Sequence, residues 1–181
     1  MKNALDSLRC QGYFYFTFAY AGILSYNNLY YLFRRIVMPK LIYLASPFFN
    51  EFELECVKRA EKILTDRGFE LFSPRLHEVR ENKDENLSLW AQKTFEMDRD
   101  NIDRADYMVM LYHGGYSDSG TAWECGYACG KGIPVIVVHI DEAADSNIMI
   151  SESCNANISL DELKSYDFEA LPKTAYKGKL F

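Results

Sequence analysis

A doubly wound α/β sandwich is the fold that this sequence predicts, on three observations. Strand-like and helix-like segments alternate from residue 41 to residue 138. The last strand segment, 133–138, is apolar throughout, as in the centre of a parallel sheet covered on both faces. The elements also carry their own stops, with proline after two strands and glycine after two helices.

Residues 41–45 read as a short buried strand that ends at Ser46-Pro47, where proline prevents continuation. A helix follows over 51–67. Phe52, Cys56, Val57, Ala60, Ile63 and Leu64 fall at helical spacing as its buried face, and Gly68 stops it. A second strand, 69–72, halts at Ser73-Pro74. The charged stretch 75–86 reads as a mobile loop. The next helix spans 87–104, with Leu89, Trp90, Phe95 and Ile102 as buried candidates, and 107–112 is a third strand. Gly114-Gly115 then leads into a helix bearing Glu124 that stops at Gly132, before the fourth strand at 133–138. This alternation predicts a flavodoxin- or Rossmann-like parallel sheet sandwiched by helices. In such sheets ligands bind beyond the carboxyl ends of the strands, at a topological switch point. Ser46, Asp118 and Glu124 lie just past such ends, and Tyr43 is close to one.

Composition narrows the function. At 181 residues the chain suits one domain with a real core, and 49% apolar and 15% aromatic residues exclude a disordered chain. The net charge of −6 is uneven: residues 1–37 carry four basic side chains and one acidic, so the remaining 144 sum to −9. A body that acidic has no electrostatic footprint for nucleic acid, and small neutral or cationic ligands fit it better. Cys10, Cys56, Cys125, Cys129 and Cys154 form no CxxC pair, and the histidines lack ligand spacing, so no metal is expected. The odd cysteine count points to reduced thiols in a cytoplasmic protein. Near a helix start Cys125 also reads as a nucleophile, against the plainer reading of buried packing. Neither GxGxxG nor a Walker loop occurs, so no cofactor is expected either.

The chain divides into an N-terminal segment, 1–37, and a body, 38–181. Gln11 to Phe33 holds no charge and is long enough to span a bilayer, but its six tyrosines, Asn27 and Asn28 are costly there. The segment reads as upstream of a true start at Met38, as a membrane or interfacial anchor, or as an extension of the domain. A membrane role for the body is not expected.

The chemistry left to such a chain is that of carboxylates. Asp98 lies on the second helix, while Asp118 and Glu124 are six residues apart across a helix start. Gly120, Ala122, Trp123, Gly126 and Tyr127 leave room beside Glu124 for a flat ligand, and a charge among such residues resists hydration. The same segment also reads as an ordinary helix start, Asp118 capping it and Glu124 complementing its dipole. Paired carboxylates are the usual equipment for cleaving a bond at an anomeric carbon, and a spacing of about 5 Å favours a covalent intermediate. Phe48, Phe49, Trp123 and Tyr127 suit stacking on a planar base, or ordinary packing.

Tyr43-Leu-Ala-Ser-Pro-Phe-Phe-Asn50, Phe72-Ser-Pro-Arg75 and Asp118-Ser-Gly-Thr-Ala-Trp-Glu-Cys-Gly126, in this order, resemble the nucleoside 2-deoxyribosyltransferase family. So do Asn147-Ile-Met149 and Tyr166-Asp-Phe-Glu-Ala-Leu-Pro172. The resemblance covers Met38 to the C-terminus. It implies transfer of 2-deoxyribose between nucleobases by double displacement, in nucleoside salvage. It further implies Glu124 as nucleophile, Asp98 as the carboxyl that shuttles the base's proton, and Tyr43 as the hydroxyl that orients Glu124. Asp118 matches the residue that holds the sugar hydroxyls. Ser46, Phe49 and Trp123 fall with the substrate-binding positions. Asn147, with Met149 as its companion, matches an asparagine donated by a neighbouring subunit. The partners implied are deoxynucleosides, free nucleobases and further copies of the chain, in a dimer-based homo-oligomer or hexamer with shared active sites. One departure concerns the end of the chain: some members finish in a tyrosine that touches the nucleophile, whereas Phe181 has no hydroxyl, so the contact is absent or is supplied otherwise, as by Tyr176.

Two other readings share the scaffold. A hydrolase of deoxynucleoside 5′-monophosphates needs a phosphate cradle after the first strand, and Ala45-Ser-Pro-Phe-Phe-Asn50 has no arginine. A non-catalytic nucleotide-sensing module needs no trio of Asp98, Asp118 and Glu124.

Overall fold

The computed structural model describes residues 39–181 except 117 and 142. The expectations for 1–37, and for Met38 as a start, lie outside the described residues. Five parallel strands form one sheet in the order β2-β1-β3-β4-β5: β1 (Leu41–Ala45), β2 (Glu70–Phe72), β3 (Tyr107–Tyr112), β4 (Val135–His139) and β5 (Ala156–Ser159). The helices between them are α1 (Glu51–Asp66), α2 (Leu87–Arg104), α3 (Ser119–Gly130) and the short α4 (Ile148–Ser153). This is the flavodoxin-like order, which reverses direction between β1 and β3 and opens its crevice at their carboxyl ends.

Alternation along the strands sends side chains to two apolar layers. Ile42 and Leu44 pack with Val57, Ala60 and Leu64 of α1 and with Leu163, Tyr166 and Phe168 of the C-terminal segment. Leu41, Tyr43 and Ala45 pack on the other face with Ile102 of α2 and Cys125 and Ala128 of α3. Each helix starts on a side-chain cap at the carboxyl end of the sheet. Asn50 accepts from Glu53 N at 2.9 Å, Asn86 from Leu89 N at 3.0 Å, Asp118 from Thr121 N at 2.9 Å and Asn147 from Met149 N at 2.9 Å. Gly114 turns the chain out of β3 at φ 78°, where a Cβ would lie 2.7 Å from that of Ala144, so this turn requires glycine. Among the described residues no helix is long and apolar enough to cross a membrane.

The structure corrects three expectations. There are five strands, because β5 follows the four expected. The last expected strand starts at Val135 instead of 133 and runs on to His139. Phe52, Leu89 and Phe95, expected inside, are 62%, 38% and 48% exposed. Helical spacing marks a common face, but among the described residues that face is only partly covered at these three positions.

Candidate active site

The crevice between β1 and β3 holds a hydrogen bond that crosses the sheet-to-helix layer. Tyr43, wholly buried on β1, donates its hydroxyl to Glu124 Oε1 at 2.5 Å. The alternation of β1 aims Tyr43 at the α3 side, and the second turn of α3 brings Glu124 down onto it. Tyr43 is backed by Phe72, with ring centroids 5.3 Å apart.

The electrostatics follow from burial. Desolvation pushes Glu124 up to about 7, the nearby Asp98 and Asp118 charges push the same way, and the Tyr43 hydroxyl opposes them by bonding the charged form. Asp98, one turn and a half from the end of α2, is raised to about 6 by burial, with His77 opposing. Its Oδ1 is buried without a hydrogen-bond partner among the described residues. The Tyr43 hydroxyl is raised far above the usual phenol range, first by burial and then by the Glu124 and Asp98 charges, so it stays protonated and able to donate. Asp118 caps α3, and both of its bonds, from Thr121 N at 2.9 Å and Thr121 Oγ1 at 3.2 Å, fall on Oδ2. The ordinary helix-start reading of Asp118 is therefore realised, and Oδ1 remains for another partner.

The other expected residues stand at varied distances from this centre. Ser46 is buried after β1 and donates to Pro47 O at 2.8 Å. Phe49 is 73% exposed and stacks on Phe48 at 5.3 Å. Trp123, half exposed, stacks on Tyr127 at 5.1 Å and tilts against Phe95 of α2. Asn147 spends its Oδ1 on the α4 cap and gives its backbone N–H to the Tyr112 hydroxyl at 3.0 Å, while Met149 beside it is 73% exposed. Neither is hydrogen-bonded to Glu124 within this chain. Tyr176 does not replace the missing terminal hydroxyl. Its oxygen donates to Ala144 O and its ring stacks on His139, while Phe181 is clasped by backbone bonds to Ser146 and Ile148. Cys125 is fully buried and burial pushes its thiol up to about 12, so it packs and stays protonated.

One neighbour of the carboxylates was not singled out in the sequence. His77, counted there among three scattered histidines, lies a few residues past the carboxyl end of β2 and stacks on Phe72 at 4.3 Å. Its place after a strand end was the available signal. A cavity of about 630 Å³ between α1 and the loops after β3 and β4, lined by Phe52, His113, Ile140, Asp141 and Ala143, contains none of the three carboxylates.

Comparison with known proteins bears on this arrangement. A family model described as nucleoside 2-deoxyribosyltransferase matches residues 42–160. The solved 2-deoxyribosyltransferase of Bacillus psychrosaccharolyticus, a psychrotolerant bacterium, is 36% identical, over 75% of this chain and 98% of its own, with a TM-score of 0.70. A conserved protein of Enterococcus faecalis V583 is 28% identical over 57% of this chain and 65% of its own, at a TM-score of 0.46. A 2-deoxyribosyltransferase of Leishmania mexicana is 22% identical over 58% and 67%, at 0.44. Comparison with curated proteins gives no match.

Proposed function

The chain belongs to the nucleoside 2-deoxyribosyltransferase family and is a deoxyribosyltransferase enzyme, and from that premise we propose that it exchanges bases through a covalent ester on Glu124. The observation that carries this reading is the 2.5 Å bond from Tyr43 to Glu124 at the switch point of the sheet.

The Tyr43 hydroxyl occupies Oε1 and fixes the carboxylate plane, which leaves Oε2 to attack C1′ of a 2′-deoxynucleoside. The C1′–N bond breaks, its electron pair goes to the base nitrogen, and the Asp98 carboxyl protonates that base. A second base then attacks C1′, gives its N–H proton to Asp98, and returns Glu124 to the carboxylate. Atoms and protons balance over the cycle, and no cofactor enters. A missing 2′-hydroxyl lowers the cost of positive charge at C1′, so a modest carboxylate suffices. The free oxygen of Asp118 takes the sugar hydroxyls. Ser46, Phe49 and Trp123 take the nucleoside, and the Asn147 amide with Met149 reaches a neighbouring copy in a homo-oligomer. The loop after β1 offers no cation, which supports free nucleosides over 5′-monophosphates. A cytoplasmic place in nucleoside salvage suits this reaction.

Glu124 near 7 and Asp98 near 6 make the pair a holder of one proton over that interval. Attack needs an ionised Glu124 and leaving-group protonation needs the acid form of Asp98, so the productive species is the singly protonated pair with its proton on Asp98. Because Glu124 holds a proton more tightly than Asp98, the acid limb follows Asp98 and the alkaline limb follows Glu124. The expected profile is a bell centred between pH 6 and 7.

The test mixes deoxyinosine or thymidine with a second base and follows the products by chromatography. A new nucleoside supports transfer, whereas free base alone points to a hydrolase and no change to a binding module. Mass spectrometry of protein quenched during turnover is expected to show a deoxyribosyl adduct on Glu124, absent from Glu124→Ala.

A further inference from the structure

The inference concerns Tyr112 and rests on the reading of Asn147 as a residue that each copy of the chain lends to its neighbour's substrate. Tyr112 ends β3, and strand alternation puts its ring in the layer that holds Tyr43, Met108 and Met110. A buried tyrosine in an apolar layer needs a partner for its hydroxyl, and both tyrosines have one. Tyr43 gives its hydroxyl hydrogen to Glu124, whereas the Tyr112 hydroxyl oxygen accepts the backbone N–H of Asn147 at 3.0 Å, across 35 residues of chain. The Tyr112 ring is held in turn by His139, edge to face at 5.5 Å, and His139 stacks on Tyr176 at 4.3 Å.

Asn147 is fixed from two further sides. Its Oδ1 accepts from Met149 N at 2.9 Å and its carbonyl from Ser151 N at 3.0 Å, which seats it on α4. Beside it, Ser146 and Ile148 bond the backbone of residues 179 and 181 at 2.9 to 3.1 Å. The N–H, the carbonyl and Oδ1 of Asn147 are thus engaged inside the subunit. Among the described residues its Nδ2 has no acceptor, and an amide Nδ2 is a donor fit for the hydroxyl oxygen of a sugar.

We propose that Tyr112 is a positioning residue for the neighbouring copy's site: its hydroxyl fixes the Asn147 backbone so that Nδ2 reaches the sugar held on the neighbour. Tyr43 and Tyr112 then serve different subunits. The first aligns the nucleophile of its own chain, and the second aligns the donor that grips the sugar of the next. Without the acceptor, the Asn147 N–H is left unpaired in a half-buried place and turns toward water, and the amide moves with it. The sugar is held in both ground state and transition state, so the loss falls on KM and leaves kcat nearly as it was.

Tyr112→Phe tests this, since it keeps the ring and removes the acceptor. KM for deoxyinosine in base exchange is expected to rise roughly 10-fold, with the pH profile unmoved. The decisive arm is a hybrid oligomer: Tyr112→Phe co-expressed with an excess of Glu124→Ala and purified through a tag on the Tyr112→Phe chain. The intact nucleophiles then lie on Tyr112→Phe chains and face an intact Tyr112–Asn147 pair from Glu124→Ala chains, so KM should return to the wild-type value. A merely structural role acts inside its own subunit and would keep KM raised in the hybrid, which overturns the proposal. So would a wild-type KM in Tyr112→Phe itself. Asn147→Ala, run alone and in the same hybrid, tests the premise separately. An unchanged KM there removes the lent asparagine, and the role of Tyr112 with it. If Asn147→Ala raises KM and Tyr112→Phe does not, the premise stands and this proposal falls by itself.

Discussion

Two neighbouring residues of β1 end in opposite fates. Leu44 and Tyr43 are both wholly buried, yet Leu44 faces a layer closed by α1 and the C-terminal segment, and Tyr43 faces the layer that holds three carboxylates. On the first side the sheet is covered by Val57, Leu64, Leu163 and Phe168, and Arg67 bonds Leu163 O and Tyr166 O. On the second side the cover stops short of the carboxyl ends, and Glu124 and Asp98 occupy the gap with their protonation displaced by burial. The lesson is that this fold assigns stability to one face and strain against ionisation to the other, and strand alternation alone decides which residue serves which.

Glu124→Gln should separate the two most sharply. Base exchange is expected to drop roughly 10³-fold or more, because an amide cannot attack. Stability should move the other way. The folded-state pKa of Glu124 lies above its ordinary value of 4.5, so the cost of its charge is absent below about 4.5, grows with pH and is complete above about 7. Relief of that cost is worth at most about 3 kcal/mol. Thermal unfolding at pH 8 should therefore show a higher Tm for the variant, with the difference vanishing near pH 4. A lower Tm at pH 8 would mean that the site is not strained.

Leu44→Ala probes the closed face. Removing a fully buried leucine is expected to cost about 2–5 kcal/mol in urea unfolding while the pH profile of exchange keeps its shape. Tyr43→Phe lies between the two. It keeps the stack on Phe72 but removes the donor that lowers Glu124, so the alkaline limb of the rate profile should move to higher pH. The rate at the optimum should fall by roughly 10- to 100-fold, the worth of a hydrogen bond to a charged group. An unmoved alkaline limb would show that Glu124 is not the group titrating there.

Much of the fold was legible because its elements obey simple periods. The helix 87–104 and the strands 41–45 and 107–112 stand where their residues put them. β5 escaped because Ala156-Asn-Ile-Ser carries polar residues in a buried strand. Asn157 is satisfied by His139 Nε2 at 2.9 Å and by Ser151 O at 3.0 Å, partners that only the folded chain supplies. At six residues α4 is too short to show a period. In the site, Asp118 and Glu124 announce themselves by their small and capping neighbours, whereas Tyr43 meets Glu124 across 81 residues of chain and only topology brings them together. His77 gave less warning, since its stack on Phe72 comes from the fold and not from spacing.

Asp118 tests the comparison at its smallest scale, because it serves both sides of the argument with different atoms. Its Oδ2 caps α3, a stabilising task, while its charge raises Glu124, a functional one. Asparagine caps as well as aspartate, so Asp118→Asn should leave Tm nearly unchanged. Without the neighbouring charge, Glu124 should ionise more readily, moving the alkaline limb of exchange to lower pH. Asp118→Ala loses the cap as well, at about 1 kcal/mol, or roughly 2–4 °C in Tm for a chain of this size. Equal Tm losses in both variants would mean that the charge, and not the cap, stabilises the helix start. An alkaline limb that moves in neither would sever Asp118 from the nucleophile.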